Sequence, residues 1–455
     1  MAQGHKLHTN RRVGISEQCR LTRDLYGAIF PCTDLEITNN ALVIVCFLIL
    51  YTFPPYLMHV KFPSLVFHKA SINRELITSK ASLMSKTTRI NKLAYIMSLI
   101  LLGGCVAEDA NVTVVSDGTE VVTADLEFLG ERLFNDTNLS SPTGQSCASC
   151  HNETTGFDDP NNSQPTSLGA DGISVGTRNS PTASYAAHTP EPSTVTRAGP
   201  GGAPVQVLIG GLFLDGRAAT LEEQAKGPFL NPAEMANASE ADVIESIRAS
   251  DYAEDFELLF GEGILDEVDR SYDYVADSIA AFERTALFSP FTAKFDQVAE
   301  NTAIFTEAEA RGQDLFNGKA QCNRCHVSNA ETVVFSEFEY HNIGVPSNML
   351  LAAFIADPGF IDNGLGDVTG DVRDNGRFRT PNLRNIAITA PYMHNGIFTS
   401  LTDVIQFYNT RDTTFPQPPE VMQNLDQGGD IGELNLTVNE VADVVAFLET
   451  LTDVP

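Results

Sequence analysis

Tryptophan is absent from all 455 residues, so no indole is available here to carry an electron. Positive charge is scarce as well. Twenty-nine Lys and Arg face 59 Asp and Glu, a formal charge of −30 at pH 7. Generic nucleic-acid binding needs positive surface to displace counterions from phosphate, and this balance excludes it. Long apolar runs are also missing. Ala41–Phe53 spans 13 residues and Leu93–Leu102 about ten, short of the roughly 20 that cross a bilayer as a helix. What is present suits a globular protein. Apolar residues make up 43% of the chain, with 33 Gly and 23 Pro, which is neither a disordered nor a collagenous composition. The length is enough for two or three domains with their own cores.

The charge is unevenly placed. Residues 1–104 hold 12 basic and 5 acidic residues, whereas the remainder holds 17 basic and 54 acidic. Within the basic stretch, Lys86, Arg89 and Lys92 precede the apolar run Leu93–Leu102, and Leu102-Gly103-Gly104-Cys105 follows. A positive segment, a short apolar segment and small residues before a cysteine form a bacterial lipoprotein signal. Residues 84–104 are therefore read as a signal peptide and Cys105 as the lipidated first residue of the mature protein. Met84 is then the expected start, and residues 1–83 an over-extended or non-catalytic leader.

Of eight cysteines, Cys19, Cys32 and Cys46 fall in that leader. The four beyond Cys105 form one motif twice: Cys147-Ala148-Ser149-Cys150-His151 and Cys322-Asn323-Arg324-Cys325-His326. C-x-x-C-H is the attachment signature of c-type haem. The two thiols add to the haem vinyl groups, and the adjacent histidine binds iron from the proximal side. A redox dithiol or half a zinc site would not require the histidine. Only five histidines lie beyond residue 105, and two of them stand in these motifs. Two covalent haems are expected, in an extracytoplasmic compartment.

Each motif has a similar approach. Leu126, Leu129, Leu133 and Phe134 precede the first, and Ala308, Gly312, Leu315 and Phe316 the second; the spacing is that of an amphipathic helix. Near the C-terminus Thr437 and Glu440 form a capping box before Val441, Val444, Val445, Leu448 and Leu451. Residues 221–229, 238–260 and 272–288 also read as helical, separated by Pro-, Gly- and Asn-rich loops such as 189–204 and 357–376. The expected fold is mainly α, two tandem cytochrome-c-like haem domains, 105–300 and 301–455.

Three further segments, GTRNSPT (176–182), FLDGRAATLEEQAKGPFLNPAEM (213–235) and TPNLRNIAITAPYMHNGIF (380–398), occur in order with the haem motifs. Together they resemble the bacterial di-haem cytochrome c peroxidases and their MauG relatives over roughly residues 122–452. The resemblance implies a reactive N-terminal haem whose open face is lined by Gln224 and Glu234, with Pro228 nearby. A carboxyl there can move a proton between the peroxide oxygens, and an amide can hold the peroxide. The residues alone allow a plainer role: Asn231-Pro232-Ala233-Glu234 also resembles a helix start, and Gln224 a solvent-facing helix residue. Typical members block the first iron with a histidine where Ala170 or Asp171 stands here, so this iron is expected to be five-coordinate. His188 is read as a loop residue.

For the second haem, the family places a Met fourteen residues after the His of T-A-P-Y-x-H. That position is Tyr408, counted from His394, and the MauG branch has Tyr there. Leu401, Val404, Ile405 and Tyr408 also fall on one helix face, which a packed core would equally produce. Met393 and Met422 are rival ligands. The resemblance further implies one calcium ion held by Asn179, Thr389 and Pro391, oxygen donors that suit a hard cation. The family's Trp between the haems is Leu214 here, so charge exchange between haems needs another path. The implied activity is reduction of hydrogen peroxide to water with electrons from a small redox protein. Alternatives are peroxide-driven oxidation of a protein side chain, as in MauG, and plain electron transfer without catalysis. The expected location is the periplasmic side of a bacterial membrane, held by lipid alone, with no nucleic-acid partner and with homodimerisation one arrangement open to it.

Overall fold

The fold is given by a computed structural model that describes residues 112–114, 122–161, 163–328, 333–426 and 431–454. The expectations for the leader, for 84–104 and for Cys105 lie outside the described residues. Residues 109–455 form one compact unit, mainly helical with three small antiparallel two-stranded pairs. Among the described residues no helix is long and apolar enough to cross a membrane.

Helix α1 (Leu126–Asn135) starts where the Asp125 side chain accepts from the Phe128 N–H at 2.7 Å, and it buries Leu129, Leu133 and Phe134. The next helices are α2 (Leu221–Leu230), α3 (Glu240–Arg248), α4 (Ala253–Phe260) and α5 (Val268–Glu283). The stretch expected to be helical over 238–260 thus divides into α3 and α4. One apolar cluster collects α1, α3 and α5 around Phe134, Ile247, Phe256, Ile279 and Phe288. After α6 (Lys294–Ala299) come α7 (Glu307–Asn317), α8 (Leu401–Thr410) and α9 (Val438–Glu449). Capping boxes at Thr306/Glu309 and Thr437/Glu440 fix the starts of α7 and α9, the second as expected from sequence. These helices enclose a second apolar cluster around Phe316, Phe335, Phe407, Phe447 and Leu451.

The two clusters are built on the same joint. Gly130 of α1 lies against α5, where an added Cβ would sit 1.9 Å from the Ser278 carbonyl oxygen. Gly312 of α7 lies against α9, where it would sit 1.9 Å from that of Asp443. Only glycine lets the helix axes come this close. Gly312→Ala is therefore expected to push α7 and α9 apart and to cost at least the roughly 1–3 kcal/mol typical of overpacking. Thermal unfolding of the haem-loaded protein measures this, and an unchanged midpoint would mean that the joint is not tightly closed.

The segment expected to be a loop over 189–204 is different. Ser193–Ala198 (β1) and Pro204–Ile209 (β2) pair as a regular antiparallel hairpin, Ser193 opposite Ile209 and Ala198 opposite Pro204. Alternating β-branched residues outweigh the flanking Pro and Gly, which occupy only the turn and the ends. The loop expected over 357–376 likewise contains a helical turn, Leu365–Thr369.

Candidate functional site

A single cavity of about 980 Å³ is lined by residues of both C-x-x-C-H motifs. In the N-terminal half, Cys147–Cys150 is one helical turn with Ser146 at its start and His151 at its end. In the C-terminal half, Cys322–Arg324 makes a comparable tight turn, and the His326 N–H donates to the Cys322 carbonyl at 2.8 Å. Local geometry thus puts each histidine beside its two thiols, and all four thiols are free of disulfides. The two proximal histidines are oriented alike. Nδ1 of His151 lies 3.1 Å from the Phe157 carbonyl oxygen, and Nδ1 of His326 lies 2.8 Å from that of Phe335. A carbonyl can only accept, so Nδ1 carries the proton and Nε2 is the nitrogen available for iron. Burial lowers the pKa of both imidazoles, that of His326 to about 4, which keeps them neutral.

Gln224, Pro228 and Glu234 line the same cavity as His151. Gln224 is half-buried on α2 rather than facing solvent. The helix-start reading of Asn231 is not realised. Asn231 ends α2, residues 232–235 form a turn, and the next helix begins only at Glu240 behind the Ser239 cap. Glu234 is turned inward instead. Burial raises its pKa, with the Arg217 charge and a hydrogen bond from Asn231 opposing. The loop that would carry a blocking ligand stays away: Ala170 N–H bonds the Glu234 carbonyl at 2.8 Å and the Asp171 side chain caps Ile173 and Ser174. Neither lines the cavity, nor does His188, which ends a short turn beside Phe291.

On the C-terminal side, the α8 face of Leu401, Val404, Ile405 and Tyr408 looks into the cavity that holds His326. The Tyr408 side chain lies near Cys322 and Cys325, and burial raises its pKa. Of the rival ligands, Met393 also lines the cavity, whereas Met422 is 61% exposed and does not. Asn179, Thr389 and Pro391 all line the cavity too, with the Asn179 amide donating to the Pro391 carbonyl at 2.6 Å.

Several buried charged groups escaped the sequence reading. His341 sits between Asp426 at 2.6 Å and Glu337 at 3.2 Å, with Nε2 3.8 Å from Cys325 Sγ. Burial would lower its pKa, but the bond to Asp426 leads those that raise it to about 12, so it is a cation beside the second motif. Glu283, at the end of α5, is buried and pushed up to about 8 by burial. Arg379 is the most informative. It is 8% exposed and lines the cavity, and among the described residues its side chain donates only to the Thr380 and Phe213 carbonyls, at 3.3 and 3.4 Å, with no partner for Nε. Burial pulls its pKa down to about 10, still protonated at neutral pH. No local period marks such a residue; its isolation arises only when distant segments close over it.

These features fit two haems. Paired thiols, a neutral imidazole with Nε2 available and a large apolar-walled space supply attachment and ligation at each motif. An unpaired buried guanidinium is costly unless an anion meets it, and a haem propionate is such an anion. Arg379 would hold it.

Comparison with known proteins agrees with this geometry. Residues 124–303 match the family model described as di-haem cytochrome c peroxidase, and residues 309–452 match that of cytochrome c. The methylamine utilization protein MauG of Paracoccus denitrificans is 40% identical over 353 residues, covering 72% of this chain and 88% of that protein. The cytochrome c551 peroxidase of Nitrosomonas europaea is 33% identical, covering 72% and 80%. Among solved structures, the diheme peroxidase BthA from Burkholderia thailandensis superposes with a TM-score of 0.64 at 30% identity, covering 75% of this chain and 93% of that one.

Proposed function

The chain belongs to the di-haem cytochrome c peroxidase family, an oxidoreductase family with two cytochrome-c-like haem domains, and on that premise we propose that it reduces hydrogen peroxide to water at the N-terminal site, with electrons entering through the C-terminal one. The observation that carries this reading is the inward-facing Glu234, with Gln224, on the cavity that contains His151. When bound, the haems supply iron that takes up peroxide and exchanges electrons. The chain's own residues do the rest. His151 and His326 would each hold a haem iron, their rings fixed by a phenylalanine carbonyl. Glu234 takes the peroxide proton and returns it to the departing oxygen, while Gln224 orients the substrate. Tyr408, on the cavity that holds His326, would be a second ligand to the C-terminal haem iron. Asn179, Thr389 and Pro391 would hold calcium through oxygen donors, the Asn179 amide then presenting its oxygen in place of the N–H that meets the Pro391 carbonyl.

The division between the two haem units is placed near residue 300. Lipidation at Cys105 would tether the enzyme to the periplasmic side of a bacterial membrane. The 17 basic and 54 acidic residues beyond position 104 leave a formal charge of −37, which, screened over about 8 Å at physiological salt, would steer basic donor proteins toward it. A MauG-like reading, in which peroxide oxidises a protein side chain, draws specific support from Tyr408 facing the cavity and from the 40% identity to MauG.

The test is stopped-flow spectroscopy of the ferric protein with one equivalent of hydrogen peroxide. Reaction without prior reduction is expected, because neither Ala170 nor Asp171 lines the cavity. An all-low-spin resting spectrum, with activity only after half-reduction, would overturn it. Turnover with a reduced basic cytochrome then separates the peroxidase from the MauG-like reading.

A further inference from the structure

Leu214 cannot be oxidised, and the chain has no Trp elsewhere. Another route runs between the proximal sides of the two sites. Phe157, whose carbonyl faces His151 Nδ1, stacks on Phe288 with ring centroids 4.0 Å apart. The Phe288 carbonyl accepts from the Tyr185 N–H at 3.0 Å. The Tyr185 ring lies 5.4 Å from the Arg384 guanidinium carbon, and the Phe335 ring lies 5.6 Å from that same carbon. The Phe335 carbonyl in turn faces His326 Nδ1 at 2.8 Å. Short contacts thus connect one proximal histidine to the other, and Tyr185 is the one group along them that is readily oxidised.

Tyr185 is also placed for the accompanying proton. Its hydroxyl donates to the Asp453 carboxylate at 2.9 and 3.0 Å, within the reach needed for direct transfer. That carboxylate is steadied by the Thr292 N–H at 3.0 Å and the Asn385 amide at 3.1 Å. Arg384 is paired with Asp296 at 2.6 and 2.9 Å, which offsets its positive charge beside the ring. Tyr185 is 1% exposed, so a radical on it is shielded from solvent. Its backbone has φ 61°, a conformation costing a non-glycine residue on the order of 1–3 kcal/mol and kept only where the surroundings hold it. A clasp between the two halves would need the Arg384–Asp296 pair, not a buried phenol on a carboxylate.

We propose that Tyr185 is a redox relay between the two haem sites, with Asp453 as its proton acceptor. The inference rests on the peroxidase reading above. Peroxide takes up two electrons and two protons to give two waters, which leaves oxidising equivalents at the N-terminal site. Tyr185 gives one electron to that site and its phenolic proton to Asp453, becoming a neutral phenoxyl radical. An electron that the redox donor delivers through the C-terminal site restores the phenolate, and Asp453 returns the proton. The cycle runs twice per peroxide. Burial and the nearby Asp453 charge keep the resting phenol protonated.

The test is freeze-quench EPR of the haem-loaded protein after one equivalent of hydrogen peroxide. The wild type is expected to show an organic radical whose hyperfine pattern narrows when the protein is grown with ring-deuterated tyrosine. Tyr185→Phe is expected to lower that signal at least tenfold. Asp453→Asn, which keeps the phenol but removes its base, is expected to lower it comparably. Tyr252→Phe is the control, since Tyr252 makes a like phenol–carboxylate pair with Asp136 at 2.7 Å but takes no part in the contacts that join His151 to His326, and it should retain the signal. Flash oxidation with a photochemical oxidant creates the same oxidising equivalent without peroxide. A radical seen only by that route would uphold the relay and sink the peroxidase reading. No tyrosine radical by either route, or an undiminished one in both Tyr185→Phe and Asp453→Asn, overturns the proposal.

Discussion

Replacing Glu234 by Gln is expected to slow the reaction of the ferric protein with hydrogen peroxide by about 10²- to 10⁴-fold, the range for loss of a general acid–base group. That corresponds to about 3 to 5 kcal/mol of barrier. The substitution keeps volume and hydrogen-bonding capacity but cannot accept a proton. A pH profile makes the assignment specific. Burial holds the Glu234 pKa above the ordinary carboxylate range, so the carboxylate that accepts the peroxide proton forms only as pH rises through that raised value. The wild-type rate should therefore climb with pH across that region and the Glu234→Gln rate should be flat there. Equal rates and equal profiles would reduce Glu234 to a turn residue behind α2. Gln224, which moves no proton, should show the smaller effect.

Tyr408 carries the second large expectation. Its side chain shares a cavity with His326. Burial raises the phenol pKa, which would oppose ionisation; a bound cation reverses that preference, as metals do for their ligands. An anionic oxygen favours ferric iron, whereas a thioether raises the potential. Tyr408→Met should accordingly raise the potential of the C-terminal haem by a sizeable part of the roughly 0.8 V that axial ligands span, and should create the weak near-infrared band of methionine–ferric ligation. Tyr408→Phe should leave an open or water-bound site. A wild-type protein that already shows the methionine band, lost in Met393→Leu, would hand the ligand role to Met393. Met422 is too exposed to compete.

Much of this was legible in the sequence because it is local. C-x-x-C-H declares its chemistry within five residues, and the Thr437/Glu440 capping box marks the start of α9 within four. The face of Leu401, Val404, Ile405 and Tyr408 was visible as a period, but a period cannot say whether a face meets other side chains or a cavity. Asn231 was ambiguous for a different reason. Asn followed by Pro suits either end of a helix, and only the preceding α2 decides which. The β1–β2 hairpin is hidden because Pro and Gly, which mark loops, bound its strands and stand in its turn, leaving only a short alternation of Val and Thr to signal it. Arg379 and the Tyr185–Asp453 pair were beyond reach altogether. Their partners lie far along the chain, and their meaning depends on which segments close around them.

The glycine joints repeat in detail. Phe134 and Phe316 each stand four residues after the joint glycine, and Phe282 and Phe447 each stand four residues after the carbonyl it meets. An added Cβ at either glycine would meet the same three atoms at the same distances, the last being the phenylalanine Cβ at 2.8 Å. The two halves thus close on the same helix joint. What differs between them is the wall that lines the cavity: a turn carrying Glu234 in one half, a helix carrying Tyr408 in the other. Because the joint is fixed by packing away from that wall, the two sites can hold different chemistry on one kind of scaffold.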